Sequence, residues 1–488
     1  MSTTEAMEAR LPYHDLREWM ARADALGELR TVTGASWEED IGLAADAVIR
    51  VDDGPAVLFD EVPGCPKGFR VLINAFAGKR RNMTLGFPDH LTKQELSQAF
   101  FDHYIKVQRR LPHVVVDDGP VFENILTGDD VDVMKFPTPK WHADDGGRYI
   151  GTGCFCVTID PEERWINVGT YRAMVQAKNS VSLLFVPGKH AYMHRKKYFD
   201  KGQPMPVALV VGSDPMSFFV GGTEFPYGVC EFDVVGGLRG SPVEVVRGKV
   251  TGLPFPANAE IVLEGFLTQD KRAVEGPFGE WTGYYAGGAS EQPTLDIRAI
   301  YHRNDPIILG VPPLGAGSDE MARYRAIMRS AMLKHELASA GVPDVTQVWC
   351  HEVGASRLLH GIGIKQRYPG HARQAGVLAS SCGSVVYGCK FVIVVDDDID
   401  VSNLEQLVWA MLTRTDPETS IEILRKMRTS PADPRVTPDQ RKVHDLTNSR
   451  VVVDACRPFE WFDKYPKVNA PGPEVVRKAH EKFGYLLD

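Results

Sequence analysis

Positive charge is in short supply. The 488 residues carry 55 Lys+Arg against 64 Asp+Glu, a formal net charge of -9. A sequence-independent grip on nucleic-acid phosphates is therefore not expected, and no Lys/Arg-rich block interleaved with aromatics offsets the balance. Long apolar runs are missing too. The longest, such as Phe391 to Val395, fall far short of the roughly 20 residues that cross a bilayer. Met1 to Met20 holds Glu5, Glu8, Arg10, Asp15 and Arg17 but neither an apolar core nor a small-residue cleavage site, so it does not read as a secretory signal. A soluble, cytoplasmic protein with no membrane partner is expected. Cysteine is sparse, eight in the whole chain, which excludes a disulfide-dense secreted scaffold and points to reduced thiols. Several catalytic signatures are absent. There is no Walker sequence, and Gly151-Thr152-Gly153 lacks the third glycine of a dinucleotide fingerprint and opens a strand. With no GxSxG and no HExxH, serine-hydrolase and zincin readings lose their support. No internal repeat or low-complexity tract occurs.

What is present suits a large globular protein. Hydrophobic residues make up 43% and charged residues 24%, enough to bury a core, and the length allows about three domains of about 150 residues. Helical spacing of Leu16, Trp19, Met20, Ala23 and Leu26 predicts a helix over 13–30. Strands at 56–59 and 71–73 and a helix near 93–107 follow, and the polar, Pro-rich stretch 127–147 reads as a linker. From Tyr149 to about Arg303 strand-like runs dominate: 153–159, 182–186, 207–211, 243–250, 260–266 and 295–301. This block predicts a β-barrel or sandwich-like domain. A third texture begins at Ser318, the expected N-cap of a helix over 319–340 with Asp319 and Glu320 in its first turn. Strands at 345–349 and 391–395 alternate with helices near 373–380 and 404–412, the pattern of an α/β domain. A short helix is expected over 474–486.

Three clusters could carry chemistry. Glu275-Gly-Pro-Phe-Gly-Glu280 puts two carboxylates around a turn, and paired acids in different environments can divide acid and base roles. A solvated surface turn is the plain alternative, weakened by the neighbouring Phe278, Trp281, Tyr284 and Tyr285. Asn167-Val-Gly-Thr-Tyr-Arg172, with His190 and Glu231 further on, offers oxygen and nitrogen donors for a hard or borderline divalent metal; a structural hydrogen-bond network fits the same residues. Lys390 precedes Phe391 to Val395 and the acidic run Asp396-Asp397-Asp398-Ile-Asp400, read as a solvated loop in preference to a metal site. Cys154 and Cys156 share one face of a strand and read as core thiols in preference to zinc ligands.

Taken in order, NVGTYR, His190, GVCE ending at Glu231, EGPFGE and Lys390 in KFVIVVDDDID resemble the UbiD family of decarboxylases, which use prenylated flavin mononucleotide. The likeness runs from DGGRY near Tyr149 through VWAMLTRTDP near Pro417. It implies an α/β (α+β) multidomain chain. An N-terminal α/β domain would span 1–126, a split β-barrel flavin-binding domain 127–310, a C-terminal α/β dimerisation domain 311–472, and a terminal helix 473–488. By the same resemblance Asn167, His190 and Glu231 hold a divalent metal, usually manganese, with potassium close by. Lys390 pairs with the flavin phosphate, and Thr170, Tyr171 and Arg172 also contact the cofactor. Arg172, Glu275 and Glu280 form the catalytic network, with Glu280 as proton donor; some relatives carry Asp at that position. A flavin prenyltransferase would supply the cofactor, and a homodimer, or a higher assembly, is implied.

The expected reaction is reversible, non-oxidative decarboxylation of an aromatic or heteroaromatic acid. The alternatives are physiological carboxylation at the same site, or a silent scaffold subunit. Met321, Tyr324, Arg325, Met328 and Met332 share a stripe at offsets of three and four. In the family this helix lines the pocket, making Met321, Arg325 and Trp281 substrate-pocket candidates. Arg325 would suit a ring bearing a hydroxyl, a heteroatom or a second carboxylate, with snorkelling or an internal ion pair as its alternative role. Lys365 and His444 are weaker candidates, for which surface placement is the default.

Overall fold

Apolar runs in the chain become strands of four separate sheets; the computed structural model describes residues 11–315, 320–469 and 471–486. The first helix, Leu16–Ala25, is capped by Asp15, whose side chain accepts from the Glu18 amide, and it buries Leu16, Trp19, Met20 and Ala23. It ends before residue 30 because Gly27 takes a φ of +72° and turns the chain. The strand Leu29–Thr33 follows, parallel to Ala56–Asp60. Arg70–Ile73 pairs antiparallel to Ala56–Asp60, and the fourth strand, Ile307–Gly310, arrives from far along the chain to lie parallel to Arg70–Ile73. The helix expected near 93–107 forms as Lys93–Phe100, opened by a Thr92/Glu95 capping box, and continues as a π-helical turn, Phe101–Ile105.

The central region is built on a nine-stranded sheet curled into a half-barrel. Its spine is the pair Ile261–Glu275 and Ser290–His302, which run antiparallel along most of their length. The register shifts between Glu264 and Gly265, a bulge that bends the strand and lets the sheet curl. A Cβ on Gly265 would stand 1.9 Å from the Asp296 carbonyl oxygen, so only glycine fits there. Cys154 and Cys156 lie in the strand Cys154–Ile159, both buried and both free thiols.

Not every strand of the middle block joins this sheet. Glu244–Arg247 pairs instead with Pro254–Pro256 and Val114–Val115 in a small three-stranded sheet. Asn124–Thr127 pairs with Ser290–His302. Strand pairing thus carries the chain into the central region from residue 114, ahead of the polar stretch read as a linker.

The C-terminal region is a five-stranded mixed sheet. Val345–Cys350, Leu359–Ile364, Phe391–Asp396, Thr447–Asp454 and Ile421–Arg428 lie in that order, with the helices His371–Ala379 and Leu404–Arg414 in its connections. The helix Glu320–Ser339 spans nearly the expected range; Ser318 and Asp319, its expected cap and first turn, lie outside the described residues. The acidic run, expected as a solvated loop, starts on the last residue of the strand Phe391–Asp396, where buried Asp396 binds Arg414 and Arg457, and only then turns into a loop whose Asp398 binds Arg414. Among the described residues no helix is long and apolar enough to cross a membrane.

Gly265→Ala tests the bulge. It should cost about 1–3 kcal/mol or more, because backbone cannot yield as a side chain can. A thermal unfolding midpoint unchanged from wild type would show that the strand pair tolerates a Cβ at this point.

Candidate active site

The two carboxylates of EGPFGE are not on a solvated turn. Glu275 ends the strand Ile261–Glu275 with its side chain fully buried, and Arg172 meets it with two parallel bonds of 2.8 Å, from Nε to Oε1 and from Nη2 to Oε2. Arg172 Nη1 donates to Glu280 Oε1 at 3.0 Å. A fork-to-fork pair of this kind fixes the guanidinium plane as well as its charge. The Tyr149 hydroxyl donates to Glu275 Oε1 at 2.9 Å, and its ring stacks on Phe278 with centroids 3.9 Å apart. Gly276 enters the turn at φ +90°, a conformation open to glycine. Glu280 sits in the next turn, where its amide donates to the Tyr284 carbonyl. Burial raises the Glu280 carboxyl above its usual pKa against the opposing pull of Arg172, which favours the protonated form.

A cavity next to this network is walled by Asn167, Thr170, Tyr171, His190 and Glu231. Asn167 sits in the strand Ile166–Gly169, while His190 and Glu231 are the first residues of the helices His190–Asp200 and Glu231–Arg239. Two helix N-termini therefore open onto one space, which suits an anion. Glu231 is buried, accepts from the Val168 amide at 2.6 Å, and has no cationic partner among the described residues. Burial pushes its carboxyl up to about 8. Burial, then the neighbouring Lys189, lowers the His190 imidazole, leaving it neutral and able to ligate. A carboxylate without a counter-charge, a neutral imidazole and an amide form a donor set that fits a divalent cation.

Lys390 does not line this cavity. Its Nζ donates to Asp433 Oδ1 at 2.8 Å. The lysine in the wall is Lys189, part of a cluster that sequence reasoning missed. Glu224 accepts from Lys189 (2.9 Å), Arg357 (3.0 Å) and Arg329 (3.2 Å). Burial alone would raise Glu224, but Lys189, Arg357 and Arg329 outweigh it and hold the carboxyl well below the usual range. Arg357 also lies over the rings of Trp281 and Tyr387, at 5.5 and 5.2 Å from their centroids. Glu224 thereby joins the cavity wall to the aromatic beside Glu280. Lys189 could have been found as the neighbour of His190, and Arg329 stands one helical turn from Arg325; nothing near Arg357 or Glu224 marks them.

Of the pocket candidates, Trp281 packs against Gly388. Arg325 is buried beside the cavity, its Nη2 3.1 Å from where a Gly222 Cβ would stand. Met321 is partly buried against the core. Lys365 and His444 are exposed, and neither lines the cavity.

Models of three consecutive domains match the chain: the 3-octaprenyl-4-hydroxybenzoate carboxy-lyase N-terminal domain at residues 20–100, its Rift-related domain at 113–315 and its C-terminal domain at 324–455. A pyrrole-2-carboxylic acid decarboxylase from Pseudomonas aeruginosa is 34% identical over 383 residues, 74% of this chain and 75% of that one. A phenolic acid decarboxylase from Bacillus subtilis is 30% identical, covering 92% of this chain and 93% of its own. The solved vanillic acid decarboxylase of Sedimentibacter hydroxybenzoicus superposes with a TM-score of 0.83 at 28% identity, covering 98% of this chain and 99% of its own. The UbiD-class enzyme HmfF from Pelotomaculum thermopropionicum, solved in complex with FMN, gives 0.83 at 26% identity over 96% of this chain and 99% of its own; a dimeric evolved form is solved with prFMN. This chain belongs to the UbiD family of carboxy-lyases.

Glu224 tests the cation cluster. Glu224→Gln should lower stability at pH 7 by about 1.5–3 kcal/mol. A carboxyl held low in the fold stabilises above its unfolded pKa of about 4.3 and loses that contribution as pH falls through the lower folded value. The deficit, read by calorimetry, should therefore shrink below about pH 4. A deficit constant with pH would mean that Glu224 acts by packing alone.

Proposed function

We propose that this chain catalyses the reversible, non-oxidative decarboxylation of an aromatic or heteroaromatic carboxylic acid with prenylated FMN. The observation that carries the reading is Arg172 clamped by Glu275 on one edge and touched by Glu280 on the other. Three of the five guanidinium N–H groups are committed, and the remaining two can take the substrate carboxylate. One guanidinium between two carboxylates is net negative while Glu280 is ionised and neutral once it is protonated. Burial moves Glu280 toward its protonated form; in that form it would admit an anionic acid and carry the proton that must replace carbon dioxide. Bound beside this network, prenylated FMN supplies the electron sink for the pair left on the ring carbon.

Asn167, His190 and Glu231 would hold a divalent cation, manganese by family resemblance, and potassium would sit nearby. Lys189 and the two helix N-termini around the cavity support binding of the flavin phosphate. This assigns to Lys189 a share of the role that resemblance gives to Lys390. Arg325 beside Gly222 supports a ring carrying a heteroatom or polar substituent, in keeping with relatives named for pyrrole and phenolic acids. A flavin prenyltransferase as cofactor supplier, cytoplasmic placement and a homodimer complete the reading. The same residues serve carboxylation, since every proton step reverses.

Glu280→Gln keeps the shape and cannot cycle a proton. Turnover should drop by about 10²–10⁴-fold with flavin still bound, and deuterium exchange into the product ring should stop. Near-normal turnover and exchange in this variant would remove Glu280 as donor. His190→Ala and Glu231→Ala should each lose manganese, measured by elemental analysis, and flavin, measured by absorbance. Stoichiometric metal and flavin in both variants would refute the ligand set.

A further inference from the structure

A second group of metal-competent donors lies outside the cavity. Among the described residues, His113, Cys230 and Asp233 bring an imidazole nitrogen, a sulfur and a carboxylate oxygen within 4.8 Å of one another. His113 Nδ1 is 3.0 Å from Asp233 Oδ1 and 4.0 Å from Cys230 Sγ. Tetrahedral zinc, with bonds of about 2.0–2.3 Å, sets such donors about 3.3–3.7 Å apart. Small side-chain rotations close that difference.

The backbone is shaped to hold this arrangement. Cys230 precedes and Asp233 belongs to the first turn of the helix Glu231–Arg239, and a spacing of three puts both on one face. Glu231, between them, turns elsewhere, to the Val168 amide and the cavity. The segment ending in His113 lies directly on the same helix. A Cβ on Gly237 would stand 1.8 Å from the Arg109 carbonyl oxygen, and one on Gly236 2.6 Å from that of Leu111. The Leu111 amide donates to the Asp233 carbonyl, and the His113 amide donates to Asp233 Oδ1. The His113 ring meets the edge of Phe232 at 5.9 Å between centroids. All three donor residues are partly exposed, which gives an ion an entry path and leaves the fourth position to water.

We propose that His113, Cys230 and Asp233 form a second metal site, selective for a borderline divalent cation such as zinc and separate from the Asn167, His190 and Glu231 set. Thiolate and imidazole ligands favour zinc, where the oxygen-rich cavity favours manganese. Bound there, the ion ties the Arg109–His113 segment to the first turn of the helix that carries Glu231. The positioning of Glu231 then depends on a metal that never enters the cavity.

Cobalt(II) distinguishes the two sites, because only a site containing sulfur gives a thiolate-to-cobalt charge-transfer band. The full-length protein, loaded with manganese, should develop this band on titration with cobalt(II) chloride, saturating at one ion per chain and reversed by zinc. Cys230→Ser should abolish it, and His113→Gln and Asp233→Asn should each weaken cobalt binding by about tenfold or more. Cys382→Ser, which removes another partly exposed thiol, should leave it intact. His190→Ala should also keep the band, so that failure of the cavity assignment and failure of this one give different results. No band in the wild type, or one that survives Cys230→Ser, would leave His113 and Asp233 as a plain hydrogen-bonded pair and overturn the proposal. Loss of the band in His190→Ala would overturn the separateness of the two sites.

Discussion

A guanidinium held between two carboxylates is the constraint around which the central region is organised. Burying Arg172 without a partner would be prohibitive, so Glu275 must arrive on its edge, in plane and at bonding distance. That requirement fixes where the strand Ile261–Glu275 ends and why Tyr149 faces it with a hydroxyl rather than an apolar ring. A buried pair of this sort adds little net stability, since desolvation offsets most of the attraction. What it supplies is geometry: Glu280 inherits a fixed hydrogen-bond partner and an environment that favours its protonated form.

The second charge cluster has the opposite balance. Around Arg172 one cation faces two carboxylates; around Glu224 three cations face one. Arg357 touches both neighbourhoods, bonding Glu224 and lying over Trp281. The field between them runs from cationic to acidic, so a phosphate would be drawn to the Glu224 side while a carboxylate held by Arg172 would stay beside Glu280. Burial, then the adjacent Arg357, pushes Arg329 down to about 9.

The sequence made some of this legible. The order NVGTYR, His190, Glu231, EGPFGE pointed to residues that the fold does bring to one region, and the strand-rich texture after Tyr149 corresponds to the half-barrel. The first helix was readable from the spacing of Leu16, Trp19, Met20 and Ala23, but its end was not, because Gly27 and the parallel partner Ala56–Asp60 decide it. Glu244–Arg247 reads like any other strand of its block, and only pairing with Val114–Val115 removes it from the main sheet. The Glu224 cluster was invisible for a related reason: its members are single charges from distant segments, and no local spacing connects Lys189, Glu224, Arg329 and Arg357. Lys390 shows the converse limit, since a motif can mark a residue without revealing that Asp433 already holds it.

The strand Ile307–Gly310 has a consequence for modularity. It leaves the half-barrel, crosses back and completes the first sheet beside Arg70–Ile73, so the first two regions are laced together by the chain itself. A fragment cut near residue 113 would present Arg70–Ile73 as a bare edge of apolar residues, the kind of edge that recruits other strands. The amino-terminal region is therefore not a detachable module. Inheritance, truncation or recombination of this chain has to treat residues up to Gly310 as one unit, even though the linear order of its segments suggests two.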